Sequence, residues 1–339
     1  MTVNFRNKIL LMGAGFTANF GGLLAREMWA KIFNNRKLDQ LPEVKKMLKE
    51  NFDFESVYSQ VLKSSITEKE KMLFQEVISE SYDGMDFTIK SFIHSGFRQY
   101  GVWWAGVSNF LGLFKGTSSE PGGLFTLNQD LLLERAMHTP PLGINGVRYR
   151  DYREALNIGQ LDPVKNEIIL PNSDELQNFI DKDLASFGDL HFIKLHGSQG
   201  WRSSSGSAQL ILGVNKLVDI QKEPLLNWYL ELFKQAINNK GVKLVVLGYS
   251  FRDEHINDIL VKAVEEHGLK LIIISTESPN DFKDRMEGRP KDSSTIWEVS
   301  KNKKIWDAVD AYFQHSLKSI FPPDQSETET FKDIKKLVK

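Results

Sequence analysis

Asn128, within Thr126-Leu127-Asn128-Gln129-Asp130, and His196, within Leu195-His196-Gly197-Ser198, are the residues of this chain best suited to chemistry on a bound ligand. An asparagine amide supplies a donor and an acceptor, and an imidazole with a pKa near about 6.5 can take up a proton at neutrality. Both sit where an apolar run gives way to glycine or polar residues, the setting of a strand's carboxyl end. Gly13-Ala14-Gly15-Phe16-Thr17 and Gly248-Tyr249-Ser250-Phe251 share that setting. Parallel α/β sheets bind ligands at the carboxyl ends of their strands, so the four segments together describe a nucleotide site.

Each segment has a plainer reading. Gly13-x-Gly15-x-x-Ala18 fits a loose dinucleotide fingerprint, in which glycines let a pyrophosphate approach the backbone, but a ligand-free strand-to-helix turn uses the same residues. A hydride-transfer enzyme wants an acid closing a second strand roughly 20 residues on. Lys31-Ile32-Phe33-Asn34-Asn35-Arg36 is neither a strand nor acidic, which weakens the dehydrogenase reading. Asp130 either presents an anionic acceptor to the cleft or caps a helix over 131–137, and Asn128 could instead close an Asx turn. His196 is a general base or a hydrogen-bonded structural residue. His94, His138, His191, His267 and His315 lack its strand-end context. Ser250-x-x-Asp253 has the form of a capping-box variant whose helix amino terminus favours anions, with His255 and Asn257 orienting the turn.

The elements around these residues follow from periodicity. Lys8-Ile9-Leu10-Leu11-Met12 reads as a buried strand entering the glycine turn, with a helix from about Ala18 to Phe33. Residues 40–100 carry helical spacing without a convincing strand and form the body of a helical insertion over about 36–120. Strands follow at 124–126, 191–195, 209–212, 243–247 and 270–274, with short segments near 148–152 and 167–170 as a small hairpin. An amphipathic helix is expected over 254–267, a last strand over 295–299, and a helix over 304–320. The fold class is α/β: a Rossmann-like parallel sheet with helices on both faces plus the insertion, as one domain over 1–320, with a polar tail over 321–339.

Composition bounds the function. Of 339 residues, 41% are hydrophobic and 26% charged, and the net charge of -1 gives no signal of direct nucleic-acid binding. The chain has no cysteine, which excludes disulfides, thiolate nucleophiles and a cysteine-ligated zinc module, and fits a reducing cytoplasm. No leader pattern opens the sequence, and no run approaches the roughly 18 apolar residues of a membrane span. The nearest, 102–114, is short and broken by glycine and polar residues, so a buried helix or partner contact is expected there.

In order, the four segments resemble the sirtuin (silent information regulator) family, and the run Gly248-Tyr249-Ser250-Phe251-Arg252-Asp253-Glu254-His255-Ile256-Asn257 is similar to the sirtuin-like proteins of bacterial anti-phage defence that hydrolyse NAD+. The resemblance implies that Gly13, Ala14, Gly15 and Thr17 cradle NAD+, and that Gly248 and Ser250 contact its ribose and phosphates. Asn128 would hold the nicotinamide ribose and position a nucleophile, His196 would act as general base, and Asp130 would complete the second motif. Two departures argue against lysine deacylation: there is no four-cysteine zinc module, and Phe20-Gly21-Gly22-Leu23 stands where the family carries proline-aspartate-phenylalanine-arginine. Water is then the acceptor, no metal is expected, and the implied activity is NAD+ glycohydrolysis as a toxic antiviral effector. Such an effector needs a switch, and the resemblance implies a homo-oligomer or a HerA-like ATPase translocase partner, with Trp103, Trp104, Phe110 and Phe114 as a candidate interface. A non-catalytic module binding NAD+ or ADP-ribose, and a deacylase, are the alternatives.

Overall fold

The computed structural model describes residues 3–96, 101–117, 119–138, 149–151, 161–162, 167–182, 189–203, 208–210, 212–213, 216–289 and 299–338. Eleven strands are found among them: β1 (Lys8–Met12), β2 (Gly122–Thr126), β3 (Tyr149–Asp151), β4 (Leu161–Asp162), β5 (Glu167–Ile169), β6 (Leu190–Lys194), β7 (Gly197–Arg202), β8 (Ala208–Leu210), β9 (Lys243–Leu247), β10 (Lys270–Ser275) and β11 (Val309–Gln314). Seven form a parallel sheet in the order β11-β10-β9-β1-β2-β6-β3. The chain moves outward from β1 to β2 and beyond, then returns to place β9 on the other side of β1. That reversal opens a crevice at the carboxyl ends of β1 and β9.

Side chains alternate between two cores, one on each face of the sheet. Leu10 and Met12 of β1, Val245 and Leu247 of β9, and Ile272 and Ile274 of β10 enter the first. Ile9 and Leu11, Leu244 and Val246, and Leu271 and Ile273 enter the second. Both faces are therefore covered, which is why these strands read as continuous apolar runs. After the short α1 (Ala14–Thr17), the first face carries α2 (Ala25–Phe33), α3 (Pro42–Glu50), α4 (Phe54–Lys63), α5 (Glu68–His94), α6 (Trp104–Gly112) and α7 (Leu132–His138). The second carries α8 (Ser173–Lys182), α9 (Lys216–Lys222), α10 (Pro224–Ile237), α11 (Glu254–His267), α12 (Pro279–Glu287) and α13 (Lys303–Asp307). The short α14 (Leu317–Ile320) and α15 (Glu329–Val338) return to the first.

Several expectations are corrected. No single helix spans 18–33: a 3-10 turn at Ala18–Phe20 ends at left-handed Gly21 (φ 88°), and α2 starts only at Ala25. The break is steric as well, because a Cβ on Gly22 would lie 2.5 Å from Thr17 Cγ2. The segments expected as one hairpin separate, β3 joining the edge of the main sheet and β5 a small sheet ordered β4-β5-β7-β8. Residues 295–298 lie outside the described residues, and the last strand is β11, inside the stretch expected to be helical. There Ala311 and Phe313 pack on one core and Val309 and Tyr312 on the other, an alternation that pairing with β10 rewards over a helix.

Residues 321–338 are not merely a polar tail, since α15 buries Phe331, Ile334 and Val338 in the first core and the Phe321 ring meets Phe110 at a tilt and Phe331 edge-on. Of the four aromatic residues offered as an interface, Trp104, Phe110 and Phe114 are buried in the first core and Trp103 is half-buried against it. No helix among the described residues is long and apolar enough to cross a membrane.

The crevice depends on backbone contact between the loops after β1 and β9. Gly13 N donates to Leu247 O (3.0 Å) and Gly15 N to Gly248 O (2.9 Å). Gly248 is left-handed (φ 65°), and a Cβ there would lie 2.4 Å from Phe16 N. Gly268, the left-handed residue after α11 (φ 70°), has nothing within 4 Å of that position. Gly268→Ala therefore costs only the conformational strain, about 1–2 kcal/mol, whereas Gly248→Ala adds overpacking and loses about 2–4 kcal/mol in urea unfolding.

Glu223, just before α10, is buried, and burial alone raises its carboxyl to about 7. Its unfolded value is near 4.5, so the folded chain holds the proton longer and stability declines as pH rises through the interval between the two. In Glu223→Gln that component is absent, and the stability of the variant relative to the wild type grows by about 2–3 kcal/mol between about pH 5 and pH 8 in urea unfolding.

Candidate functional site

The crevice is a cleft of about 1180 Å³ lined by Gly13, Ala14, Gly15, Thr17, Asn128, Asp130, His196, Gly248 and Ser250 among other residues. All nine residues marked in the sequence thus meet on one wall system, built from the ends of β1, β2, β6 and β9. Its size exceeds the ~300–1,000 Å³ usual for small-molecule sites and suits a ligand as long as a dinucleotide.

Asn128 leaves β2 after Thr126, whose Oγ1 accepts the Asn128 amide N–H at 3.0 Å. Its Nδ2 donates to Gly13 O at 3.0 Å and to Thr17 Oγ1 at 2.7 Å. A carbonyl only accepts, so the amide orientation is settled and Oδ1 is left to the cleft. Asn128 thereby ties the β2 loop to the β1 loop. This makes it more than an Asx turn.

Asp130 realises the capping alternative: its Oδ1 accepts Leu132 N at 3.0 Å at the start of α7. The carboxyl is buried, and burial raises its pKa against the pull of Lys194. Lys194 is itself buried, donating to Asp130 O and, at 2.7 Å, to Glu134 Oε1. Asp130 lines the cleft and also anchors its floor.

His196 sits in the turn between β6 and β7, buried at 3% exposure, with its main-chain oxygen accepting Gln129 Nε2 at 3.1 Å. Gln129 Oε1 accepts Tyr82 OH at 2.8 Å, so α5 of the insertion braces the turn that carries the imidazole. Burial pushes the His196 pKa well below the usual value, with Lys216 and His255 adding to the shift and Asp253 opposing it. The ring is neutral at physiological pH and can accept a proton.

Its neighbour is the feature sequence reasoning missed. His196 Nε2 and His255 Nε2 are 3.0 Å apart, so one nitrogen donates to the other. Asn257 does orient the turn, donating to Phe251 O and accepting from Tyr249 OH, but His255 points into the cleft at the His196 imidazole instead. The capping-box expectation fails here: α11 starts at Glu254, and Asp253 makes no side-chain cap. Asp253 Oδ1 instead accepts Lys216 Nζ at 2.7 Å, and Lys216 also pairs with Glu55 of α4 at 2.7 Å. Burial lowers the Lys216 pKa, yet the two carboxylates outweigh it and hold the ammonium charged. Ser250 is exposed on the rim, and its main-chain oxygen accepts Arg285 Nη1 at 2.6 Å. Glu55, Lys216 and Tyr82 come from segments without any motif, and only the Asp253-x-His255 spacing offered a signal in advance.

Two backbone features shape the mouth. Phe251 is left-handed (φ 54°) without being glycine, held by the Asn257 amide on its carbonyl and by a tilted ring contact with Tyr249, centroids 4.6 Å apart. Gly197, directly after His196, is left-handed at φ 74°. Both place their neighbours where an extended strand could not.

Residues 122–298 match the family model described as the SIR2-like domain, more than half of the chain's 339 residues. The matched segment begins at the first residue of β2 and includes Asn128, Asp130, His196, Gly248 and Ser250, with the glycine turn and the helical insertion before it. No curated protein matches the chain.

Proposed function

The chain belongs to the SIR2-like family, and from that premise we propose that it hydrolyses NAD+ to nicotinamide and ADP-ribose. SIR2-like domains bind NAD+ and include NAD-dependent enzymes. The observation that carries the hydrolytic reading is the delivery of Asn128 and a neutral, buried His196 to one cleft beside the glycine loops.

The glycine loops hold the dinucleotide against the carboxyl ends of β1 and β9. Asn128 Oδ1, with the amide nitrogen already committed to Gly13 and Thr17, accepts a hydrogen bond from the ribose or from the attacking water. The glycosidic C–N bond breaks with its electron pair leaving on nicotinamide, which departs neutral, while a water oxygen bonds to the anomeric carbon and its proton passes to His196. The absence of cysteine denies the chain a four-cysteine zinc module, which supports water over a peptide as acceptor.

Unchecked NAD+ loss would harm its own cell, so the activity is held in reserve until assembly with itself or with a HerA-like ATPase releases it, as an antiviral effector. The likeness of residues 248–257 to defence proteins supports that role. In the assembled state, His196→Ala and Asn128→Ala each lower kcat/KM for NAD+ by about 10²–10⁴-fold, the range of a lost acid–base or orienting group, read by nicotinamide release. Unchanged turnover in both variants sinks the hydrolytic assignment, and NAD+ binding without turnover under every partner condition replaces it with a binding module.

A further inference from the structure

No metal was expected from the sequence, yet three side chains at the inner wall are arranged as a ligand set. His196, His255 and Asp253 each offer one ligand atom, and these atoms all lie within 4.8 Å of one another. The two Nε2 atoms face each other at 3.0 Å. Two imidazole nitrogens at ~2.0–2.1 Å from one ion, with angles of about 90–110°, lie about 2.9–3.4 Å apart. Asp253 gives Oδ1 to Lys216 and keeps Oδ2.

Mixed imidazole and carboxylate donors suit zinc-class ions rather than magnesium or calcium, which prefer oxygen alone.

We propose that His196, His255 and Asp253 bind one zinc-class divalent ion, and that the ion silences His196. Coordination consumes the Nε2 lone pair, and a neutral imidazole bound through Nε2 carries its proton on Nδ1, so no lone pair remains to accept a proton. His255 and Asp253 thereby form an inhibitory metal site around the base. The metal site stands on the geometry alone, and only its effect on turnover rests on the proposed NAD+ hydrolysis.

The test uses the full chain stripped with a chelator, titrated with Zn2+ by calorimetry and with Co2+ by visible absorption. One ion per chain is expected, with Zn2+ raising the melting temperature. His255→Gln and Asp253→Asn each weaken binding at least tenfold and lose the Co2+ bands, while His315→Ala, a cleft histidine outside the set, binds as the wild type does. Absence of saturable binding, or equal affinity in His255→Gln, overturns the site. In an actively hydrolysing assembly, Zn2+ blocks nicotinamide release over the concentrations at which it binds, and binding without inhibition overturns the silencing. If NAD+ is not cleaved under any condition, the hydrolytic reading and the silencing fall together, while calorimetry still decides the metal site.

Discussion

The contact between the loops after β1 and β9 is the constraint on which the site depends. Gly13 and Gly15 lie so close to Gly248 that a side-chain carbon on any of them would meet backbone at 2.9 Å or less. Absence of side chains there lets two main-chain hydrogen bonds join the loops, and that junction is where the sheet order reverses. Everything else is referenced to it. Thr17 is placed by the short helix that follows Gly13, Asn128 is placed by Gly13 O and Thr17 Oγ1, and Gly22 closes on Thr17 from behind. The glycines thus act first on the protein's own backbone, and their openness toward a ligand follows from that.

The second organising feature is charge held away from water. Lys194 with Glu134 beneath Asp130, and Lys216 between Glu55 and Asp253, are ion pairs at sites where a lone charge would be strongly penalised. Such pairs contribute modestly to net stability but tolerate few alternative arrangements, because losing one partner strands the other. Lys216 bridges α4 of the insertion to the loop before α11, Tyr82 bridges α5 to Gln129, and Arg135 of α7 binds Asp86 of α5 through two hydrogen bonds of 3.0 and 2.9 Å. The insertion is therefore a wall of the cleft. The histidine pair, carried by the loop after β6 and the first turn of α11, stays neutral because burial opposes protonation of either ring.

The central strands and the glycine segments were legible because they depend on local facts: a strand buried on both faces is a continuous apolar run, and a tight turn needs glycine. The same logic located Asn128 and His196, since strand ends can be read from where such runs stop. It misled at β11, where six residues of mixed polarity fitted a helix as well as an edge strand, and at α15, where a mostly polar sequence concealed three buried side chains at helical spacing. Neither local pattern says which surface will cover it. The aromatic residues 104, 110 and 114 show the converse, an apolar run that suggested a partner and found its partner inside the same core.

By itself the sequence determined the parallel α/β class, the strand ends that carry the site, and the absence of thiol chemistry, because these follow from residue type and short-range periodicity. Only the tertiary structure decided that Asp130 is both cleft lining and helix cap, that Asp253 serves Lys216 instead of its own helix, and that His255 faces His196 at 3.0 Å. The last two join residues distant along the chain. They exist because the loops after β6 and β9 are brought together at one end of the sheet, a consequence of strand order that no spacing within the sequence expresses.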